Sequence, residues 1–253
     1  MLPTPCHVLG DVHLGVASAD SERRLLRHLR LLPETARSLV IMGDLFDFWF
    51  AWEHAMPRTG FRVLAALADL RDSGVPVLWI GGNHDCWGGE TLALETGATY
   101  TLEPWRGRIG SWDTLLAHGD GLRIKEDAPY RRLRTVLRHP LSIAAYSWLH
   151  PDFATRVAMR SSKTSRKGRA RDGGSGLLAV GTAALAAADG PRLVVHGHSH
   201  VPTLTAAGRG VYGNAGAWYL DHQFLVIDDD AISRRQWSAS GDVDVIETIT
   251  RPD

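Results

Sequence analysis

The stretch Gly10-Asp11-Val12-His13-Leu14-Gly15 directly follows an apolar run at residues 6–9 that is typical of a buried strand. Four later segments repeat this arrangement, each with Asp, Asn or His after another apolar run: Gly43-Asp44-Leu45-Phe46-Asp47, Gly82-Asn83-His84-Asp85, His118-Gly119-Asp120 and His196-Gly197-His198-Ser199-His200. Each segment therefore lies where a predicted strand ends and a loop begins. Because five such strand ends can converge on one edge of a sheet, we expect their polar side chains to form one site.

The chain around these segments predicts an α/β fold. Predicted strands alternate with helical patterns over the first third, whereas the residues after His200 are typical of β-hairpins. The first helix has Ser18 as a candidate N-cap and is predicted to end at Pro33. Because the chain shows neither an internal repeat nor a clear linker, we expect a single domain over residues 1–253.

Composition limits the classes of function. The 28 basic residues balance 28 acidic ones, so the overall charge predicts neither nucleic-acid binding nor an acidic tail. Two cysteines are too few for a disulfide framework and favour a reducing compartment. Asp11 comes too early to follow a cleavable signal peptide, and the longest weakly polar run, residues 177–188, is shorter than the roughly 20 residues that span a bilayer. We expect a cytoplasmic protein that at most associates with a membrane surface.

One segment departs from this neutral balance. Residues 123–171 contain thirteen basic residues and three acidic ones, a net charge of about +10. They also contain many Leu, Val and aromatic residues, including Trp148 and Phe153, so helices with a basic and an apolar face are predicted. We therefore expect a helical insertion at residues 123–172. The plainer alternative is a solvated helical hairpin.

The polar residues at the strand ends suit a pair of divalent metal ions. Such a pair needs several Asp, Asn and His ligands, with one carboxylate that bridges both ions. Asp44 is the natural bridge, and the set contains no thiolate, which disfavours a structural zinc site and leaves manganese, iron, zinc or cobalt as candidates. The candidate ligands are Asp11, His13, Asp44, Asn83, His118, His198 and His200.

The five motifs, in this order, resemble those of the calcineurin-like metallophosphoesterases. The resemblance implies a four-layer α/β/β/α sandwich and two divalent ions, for which manganese is the first candidate. It also implies a ligand set for each ion, with Asp44 in both. One set is Asp11, His13, Asp44 and His200; the other is Asp44, Asn83, His118 and His198.

Neighbouring residues complete the expected chemistry. A water activated by two cations attacks phosphorus directly, so no protein nucleophile is needed. His84 is the best candidate to stabilise the leaving oxygen or to donate a proton to it, with Asp85 orienting its ring. We expect Asp47 and Asp120 to hydrogen-bond to the ligands, and His196 to be a buried structural residue.

The insertion is similar to that of bacterial UDP-2,3-diacylglucosamine diphosphatases of lipid A synthesis, and the similarity implies that it caps the active site. The similarity rests on His118-Gly119-Asp120-Gly121-Leu122, Asp127, Tyr130 and the segments 148–151 and 160–166. It implies cleavage of the diphosphate bond to UMP and 2,3-diacylglucosamine 1-phosphate. The enzyme would work in the cytoplasm or on the cytoplasmic face of the inner membrane, with acyl chains in an apolar groove that includes Trp148 and Phe153. The implied substrate contacts are Asn83, His84, Asp127, Arg160, Lys163, Arg166 and His198.

Two alternatives stay open. His84 stands where many members of that family have Arg, so a general or nucleotide-directed calcineurin-like phosphodiesterase or phosphatase with the same metals is the runner-up. A metal-free scaffold of the same fold is the second alternative, although all seven ligand positions are filled. For partners, we expect a glycolipid nucleotide and an anionic membrane surface, without nucleic acid or an obligate protein partner.

Overall fold

The computed structural model describes residues 1–166 and 172–252, with side chains for residues 1–160 and 172–252. Twelve strands in these residues form two sheets. The first sheet has seven strands in the order β12-β11-β10-β1-β2-β3-β4, with β1 to β4 parallel. Its strands are β1 (Cys6–Leu9), β2 (Ser38–Ile41), β3 (Val77–Ile80), β4 (Thr99–Thr101), β10 (Gln223–Ile227), β11 (Ala231–Trp237) and β12 (Val243–Thr250).

The second sheet has five strands in the order β5-β6-β7-β9-β8. Its three central strands, β6, β7 and β9, are parallel, and the edge strands β5 and β8 are antiparallel to their neighbours. The strands are β5 (Trp105–Ile109), β6 (Trp112–Ala117), β7 (Leu193–His196), β8 (Thr203–Ala207) and β9 (Gly210–Asn214).

The two sheets pack face to face between layers of helices. Successive side chains of a strand point to opposite faces, so Val8 enters the core between the sheets while Leu9 packs under the helices. The described residues thus form the four layers α/β/β/α that the resemblance implies. Helices α1 (Ala19–Thr35), α2 (Phe61–Asp72) and α3 (Gly89–Thr96) lie on the first sheet, and α7 (Ser175–Ala186) lies on the second.

The first helix begins as expected but ends later. Ser18 accepts a hydrogen bond from the backbone N–H of Ser21 at 3.1 Å, which satisfies one of the free donors of the first turn. The prediction that Pro33 ends the helix is wrong, because α1 continues to Thr35. Packing of Leu25, Leu29 and Leu32 into the core outweighs the one hydrogen bond that a proline in the last turn removes.

The predicted helical insertion lies between β6 and α7. It contains α4 (Ala128–Leu137), α5 (Pro140–Ser147) and α6 (Pro151–Arg166). Arg123 at its beginning binds the carboxylates of Asp127 at 2.7 Å and Asp172 at 2.9 Å, so a single side chain joins both ends of the insertion. We call residues 123–172 the cap.

A short helix, α8 (Trp218–Asp221), precedes β10 and completes the described elements. Among the described helices, none is both long enough and apolar enough to cross a membrane.

Candidate metal centre

The five polar segments meet at one place, as the sequence predicts. Asp11 and His13 follow β1, Asp44 follows β2, and the segment beginning at Asn83 follows β3 in the first sheet. His118 follows β6, and the pair His198 and His200 follows β7 in the second sheet. The carboxyl ends of parallel strands in both sheets therefore supply the site.

The first group of candidate ligands is Asp11, His13 and His200, whose ligand atoms lie within 4.8 Å of one another. Asp11 Oδ1 is 3.2 Å from His200 Nε2, and His13 Nε2 is 3.2 Å from the same nitrogen. Ligand atoms that share one ion at about 2.1 Å are themselves about 3 Å apart in octahedral geometry. This spacing suits a single cation.

A second group consists of Asp44, His118 and His198. Asp44 Oδ2 lies 3.5 Å from His118 Nε2 and 3.8 Å from His13 Nε2, so this one oxygen faces both groups. Asn83 Oδ1 is buried and has no hydrogen-bond partner among the described residues. A buried amide oxygen without a partner is costly, and a metal ion would satisfy it.

The electrostatics also fit two cations. Burial alone would raise the pKa of Asp44, but His84, His118 and His13 hold it well below its usual range. Burial would lower the pKa of His118, but Asp44 raises it to about 10. In the metal-free protein Asp44 thus favours a proton on His118, and metal binding releases such a proton. The residues therefore fit a pair of divalent ions.

The backbone at the site takes a conformation that sequence patterns do not predict. Of the six non-glycine residues with positive φ in the described part of the chain, five are candidate ligands. Non-glycine residues rarely adopt this conformation, and it persists where surrounding contacts fix it. The five are Asp11, His13, Asp44, His198 and His200.

Hydrogen bonds orient the ligand side chains. His118 Nδ1 lies 2.6 Å from the Met42 carbonyl oxygen, which directs Nε2 towards the site. Asp11 Oδ2 accepts the backbone N–H of His198 at 2.9 Å, leaving Oδ1 for the site. Asp47 Oδ1 lies 3.3 Å from His13 Nδ1, so Asp47 orients a ligand as expected.

The structure corrects the expected role of Asp85. Its carboxylate accepts backbone N–H groups from Leu45 at 2.9 Å and Gly82 at 2.7 Å, so it ties two metal loops together. Burial, with the nearby Asp44, raises the pKa of Asp85 to about 7. The His84 ring is instead held by the Asp47 carbonyl oxygen, 2.6 Å from Nδ1. His84 Nε2 then lies 3.8 Å from Asp44 Oδ2, beside the candidate metals.

Two other carboxylates, those of Asp120 and Asp127, bind residues of the cap. Asp120 accepts a hydrogen bond from the Tyr130 hydroxyl at 2.7 Å and pairs with Arg138 at 3.3 Å, so the expectation that it supports a ligand is corrected. Asp127 is buried, and Arg123 binds both of its oxygens. Asp127 thus holds the beginning of the cap in place, and its contact with substrate stays a prediction.

The three basic residues expected to bind substrate lie on α6. Arg160 is exposed, on the third turn of the helix. The side chains of Lys163 and Arg166 are outside the described residues, although the helix backbone extends to Arg166. His196, expected to be structural, is buried with its ring centroid 5.5 Å from that of Tyr212, and burial lowers its pKa to about 4.

A cavity of about 340 Å³ lies between the cap and the metal centre. At one end it is lined by Asn83 and His84. The rest of its wall is mainly apolar, and includes Phe48, Phe50, Leu133, Leu137, Ile143, Tyr146 and Val157. The expectation that Trp148 and Phe153 line this groove is wrong, because neither lines the cavity and the Trp148 side chain is 89% exposed.

Asn214 supports the last metal loop and was missed by the sequence analysis. Its buried Nδ2 donates to the Gly197 carbonyl at 2.8 Å and to Ser199 Oγ at 3.0 Å. Its Oδ1 accepts the backbone N–H of Gly216 at 2.8 Å. The sequence did carry one signal for it, because Asn214 is a polar residue at the end of an apolar strand, β9.

A model of the calcineurin-like phosphoesterase family matches residues 4–202. Because this match covers most of the chain, the protein belongs to that family, whose members are metal-dependent phosphoesterases. The fold and the clustered Asp, Asn and His residues described above agree with this assignment.

Several similar proteins are UDP-2,3-diacylglucosamine hydrolases. The one from Stenotrophomonas maltophilia (strain R551-3) is 31% identical over 87% of this chain and 93% of its own length. The one from Xanthomonas oryzae pv. oryzae is 30% identical over 91% of this chain and 98% of its own. The one from Porphyromonas gingivalis is 33% identical over 62% of each chain. Among solved structures, Vacuolar Protein Sorting 29 from Cryptosporidium parvum is 12% identical, covers 98% of this chain and 97% of that chain, and has a TM-score of 0.48.

Proposed function

We propose that this protein hydrolyses the diphosphate bond of UDP-2,3-diacylglucosamine to UMP and 2,3-diacylglucosamine 1-phosphate. The observation that carries the proposal is the apolar cavity, which opens at Asn83 and His84 and is walled by the cap. A substrate with acyl chains next to a diphosphate suits an apolar cavity adjoining a metal centre. The names of the relatives from Stenotrophomonas and Xanthomonas support the same substrate.

The proposed ligands are those named from the sequence, with Asp44 shared by two ions. Manganese is the proposed metal, because the oxygen and nitrogen donors without thiolate are a set that it accepts. When bound, a pair of divalent ions supplies charge that polarises the phosphate and lowers the pKa of the attacking water. The protein's part is to hold the ligands in place and to limit the access of bulk water to the covered site.

His84 is proposed to act at the leaving oxygen. Its Nδ1 contacts the Asp47 carbonyl, so Nε2 is the nitrogen directed towards the metal centre. From there it can hydrogen-bond to the departing phosphate oxygen or donate a proton to it. Arg160, Lys163 and Arg166 on α6 are proposed to bind the substrate phosphates, because the guanidinium and ammonium groups suit such anions.

The proposal of a lipid substrate is tested by placing a charged side chain inside the cavity. Ile143→Asp should strongly lower hydrolysis of UDP-2,3-diacylglucosamine in neutral detergent micelles, because a carboxylate beside an alkyl chain is costly. Hydrolysis of a small water-soluble phosphodiester, which reaches only the metals, should stay near that of the parent. Steady-state rates on both substrates give the comparison.

Trp148→Asp is the matched control, because it adds the same charge to an exposed part of the cap. It should hydrolyse UDP-2,3-diacylglucosamine in the same micelles almost as fast as the parent does. Its rate on the water-soluble phosphodiester should also be close to that of the parent. Equal losses on both substrates for Ile143→Asp would indicate a general loss of structure. An unchanged rate on the lipid would favour the alternative, a general or nucleotide-directed phosphodiesterase.

The cap is also proposed to dock on the cytoplasmic face of an anionic membrane. Trp148, Leu141 and Ile124 are 89%, 74% and 80% exposed, and residues 123–171 of the cap carry about ten net positive charges. Apolar side chains among basic ones suit the interface of such a membrane. We further propose that residues 1–253 are one domain with the cap as an insertion.

Vesicle sedimentation tests the membrane proposal. The parent protein should sediment with vesicles that contain anionic phospholipid, and both Trp148→Asp and about 1 M salt should reduce the bound fraction, because salt screens exposed charges. Vesicles of neutral phospholipid should bind less protein. Equal binding to the two kinds of vesicle would contradict the proposal.

A further inference from the structure

Tyr219 lies beside two of the proposed metal ligands. Its ring centroid is 5.2 Å from that of His13, with an angle of 82° between the ring planes. The corresponding values for His200 are 5.7 Å and 83°. Both are edge-to-face arrangements, which aromatic rings favour. One half-buried tyrosine thus packs against two imidazoles whose Nε2 atoms are 3.2 Å apart.

The backbone of Tyr219 is fixed relative to the same metal loop. The preceding residue, Trp218, donates its backbone N–H to the Gly10 carbonyl at 3.3 Å. Its indole N–H donates to the Ser21 carbonyl at 3.2 Å, and its side chain is fully buried. Because Gly10 directly precedes Asp11, helix α8 is tied to the loop that carries Asp11 and His13.

We infer that Tyr219 is a positioning residue that holds His13 and His200 in the orientation one metal ion requires, an inference that rests on the proposed ligand set. A histidine that is free to rotate must be ordered when a metal binds, and this ordering lowers affinity. The packed tyrosine ring orders both imidazoles in advance. Tyr219 does not order His118 and His198, the histidines of the second group of candidate ligands, through this contact.

The inference is tested by titrating Mn²⁺ into the metal-free protein and measuring the heat of binding by calorimetry. The two proposed ions should give two binding steps, each with its own affinity. Tyr219→Leu should weaken one step by about 10- to 100-fold, the usual effect of removing a partner that orients a metal ligand, and leave the other unchanged. Tyr219→Phe keeps the ring, so both of its binding steps should have the affinity of the parent protein. Tyr146→Leu is the matched control: Tyr146 is also half-buried, but its ring packs on Phe50 at 4.9 Å, and both steps should be unchanged.

Three results would overturn the inference: both steps unchanged in Tyr219→Leu, both weakened equally, or Tyr219→Phe as weak as Tyr219→Leu. The last would assign the effect to the hydroxyl rather than the ring. His200→Ala separates this inference from the proposed ligands, because it should weaken the same step that Tyr219→Leu weakens. If His200→Ala bound two ions as the parent does, the ligand assignment itself would be wrong.

Discussion

Replacement of Asp44 by alanine is expected to abolish hydrolysis and to leave fewer than two bound metal ions. Asp44 Oδ2 faces His118 Nε2 at 3.5 Å and His13 Nε2 at 3.8 Å, so both proposed ions lose their shared carboxylate. Without it the second ion has no bridge, and the attacking water loses the charge that lowers its pKa. Metal content by mass spectrometry and the rate of hydrolysis are the two measurements.

Asp11→Ala is the comparison for this variant, because Asp11 is proposed to ligate one ion only. Asp11→Ala should retain more bound metal per chain than Asp44→Ala does. Circular dichroism should show that both variants are folded. The assignment of the bridge fails if Asp44→Ala retains two ions per chain together with near-normal turnover.

The second large effect is expected at His84. His84→Ala should lower turnover by about a hundredfold or more, the scale on which loss of a general acid acts. The number of bound ions should stay close to that of the parent, because His84 is proposed to act on the leaving oxygen and not to bind metal. Turnover and metal content measured on the same preparation separate these two effects.

The adjacent Asn83→Ala is a matched control, since it removes a proposed ligand from the same loop and should lower metal affinity. His84 lies close enough to His13 and Asp44 for these three side chains to bind one metal ion together. The comparison therefore tests whether His84 is itself a ligand. A loss of metal in His84→Ala equal to that in Asn83→Ala would make His84 a ligand.

Convergence of the motifs could be predicted because it depends on strand order and local pattern alone. Asp11, Asp44 and His118 each follow a strand whose apolar residues are evident in the sequence, and parallel strands bring their carboxyl ends together. The four-layer sandwich followed from the resemblance that these motifs carry. Both predictions are confirmed by the architecture of the described residues and by the family match.

Other features depend on contacts between distant parts of the chain. The resemblance placed Asp127 at the substrate by position, but it could not show that Arg123 binds this carboxylate and also reaches Asp172, because the folded cap brings these residues together. Helical periodicity identified the apolar side chains of the cap, but it could not tell that Ile143 faces the cavity while Trp148 faces solvent. Tyr219 lies in a segment without a motif, and only the packing of α8 brings it to the proposed ligands His13 and His200.

The link between Arg123, Asp127 and Asp172 has a consequence for how the family can diversify. Because one guanidinium joins the start of the cap to its return, the segment leaves and re-enters the sandwich at a single point. A replacement segment of different length or chemistry that keeps this junction, and a partner for Asp120 such as Tyr130 or Arg138, leaves the strands that carry the candidate ligands in place. Evolution can in this way exchange the cap, which is proposed to select the substrate, and preserve the strands that carry the candidate metal ligands.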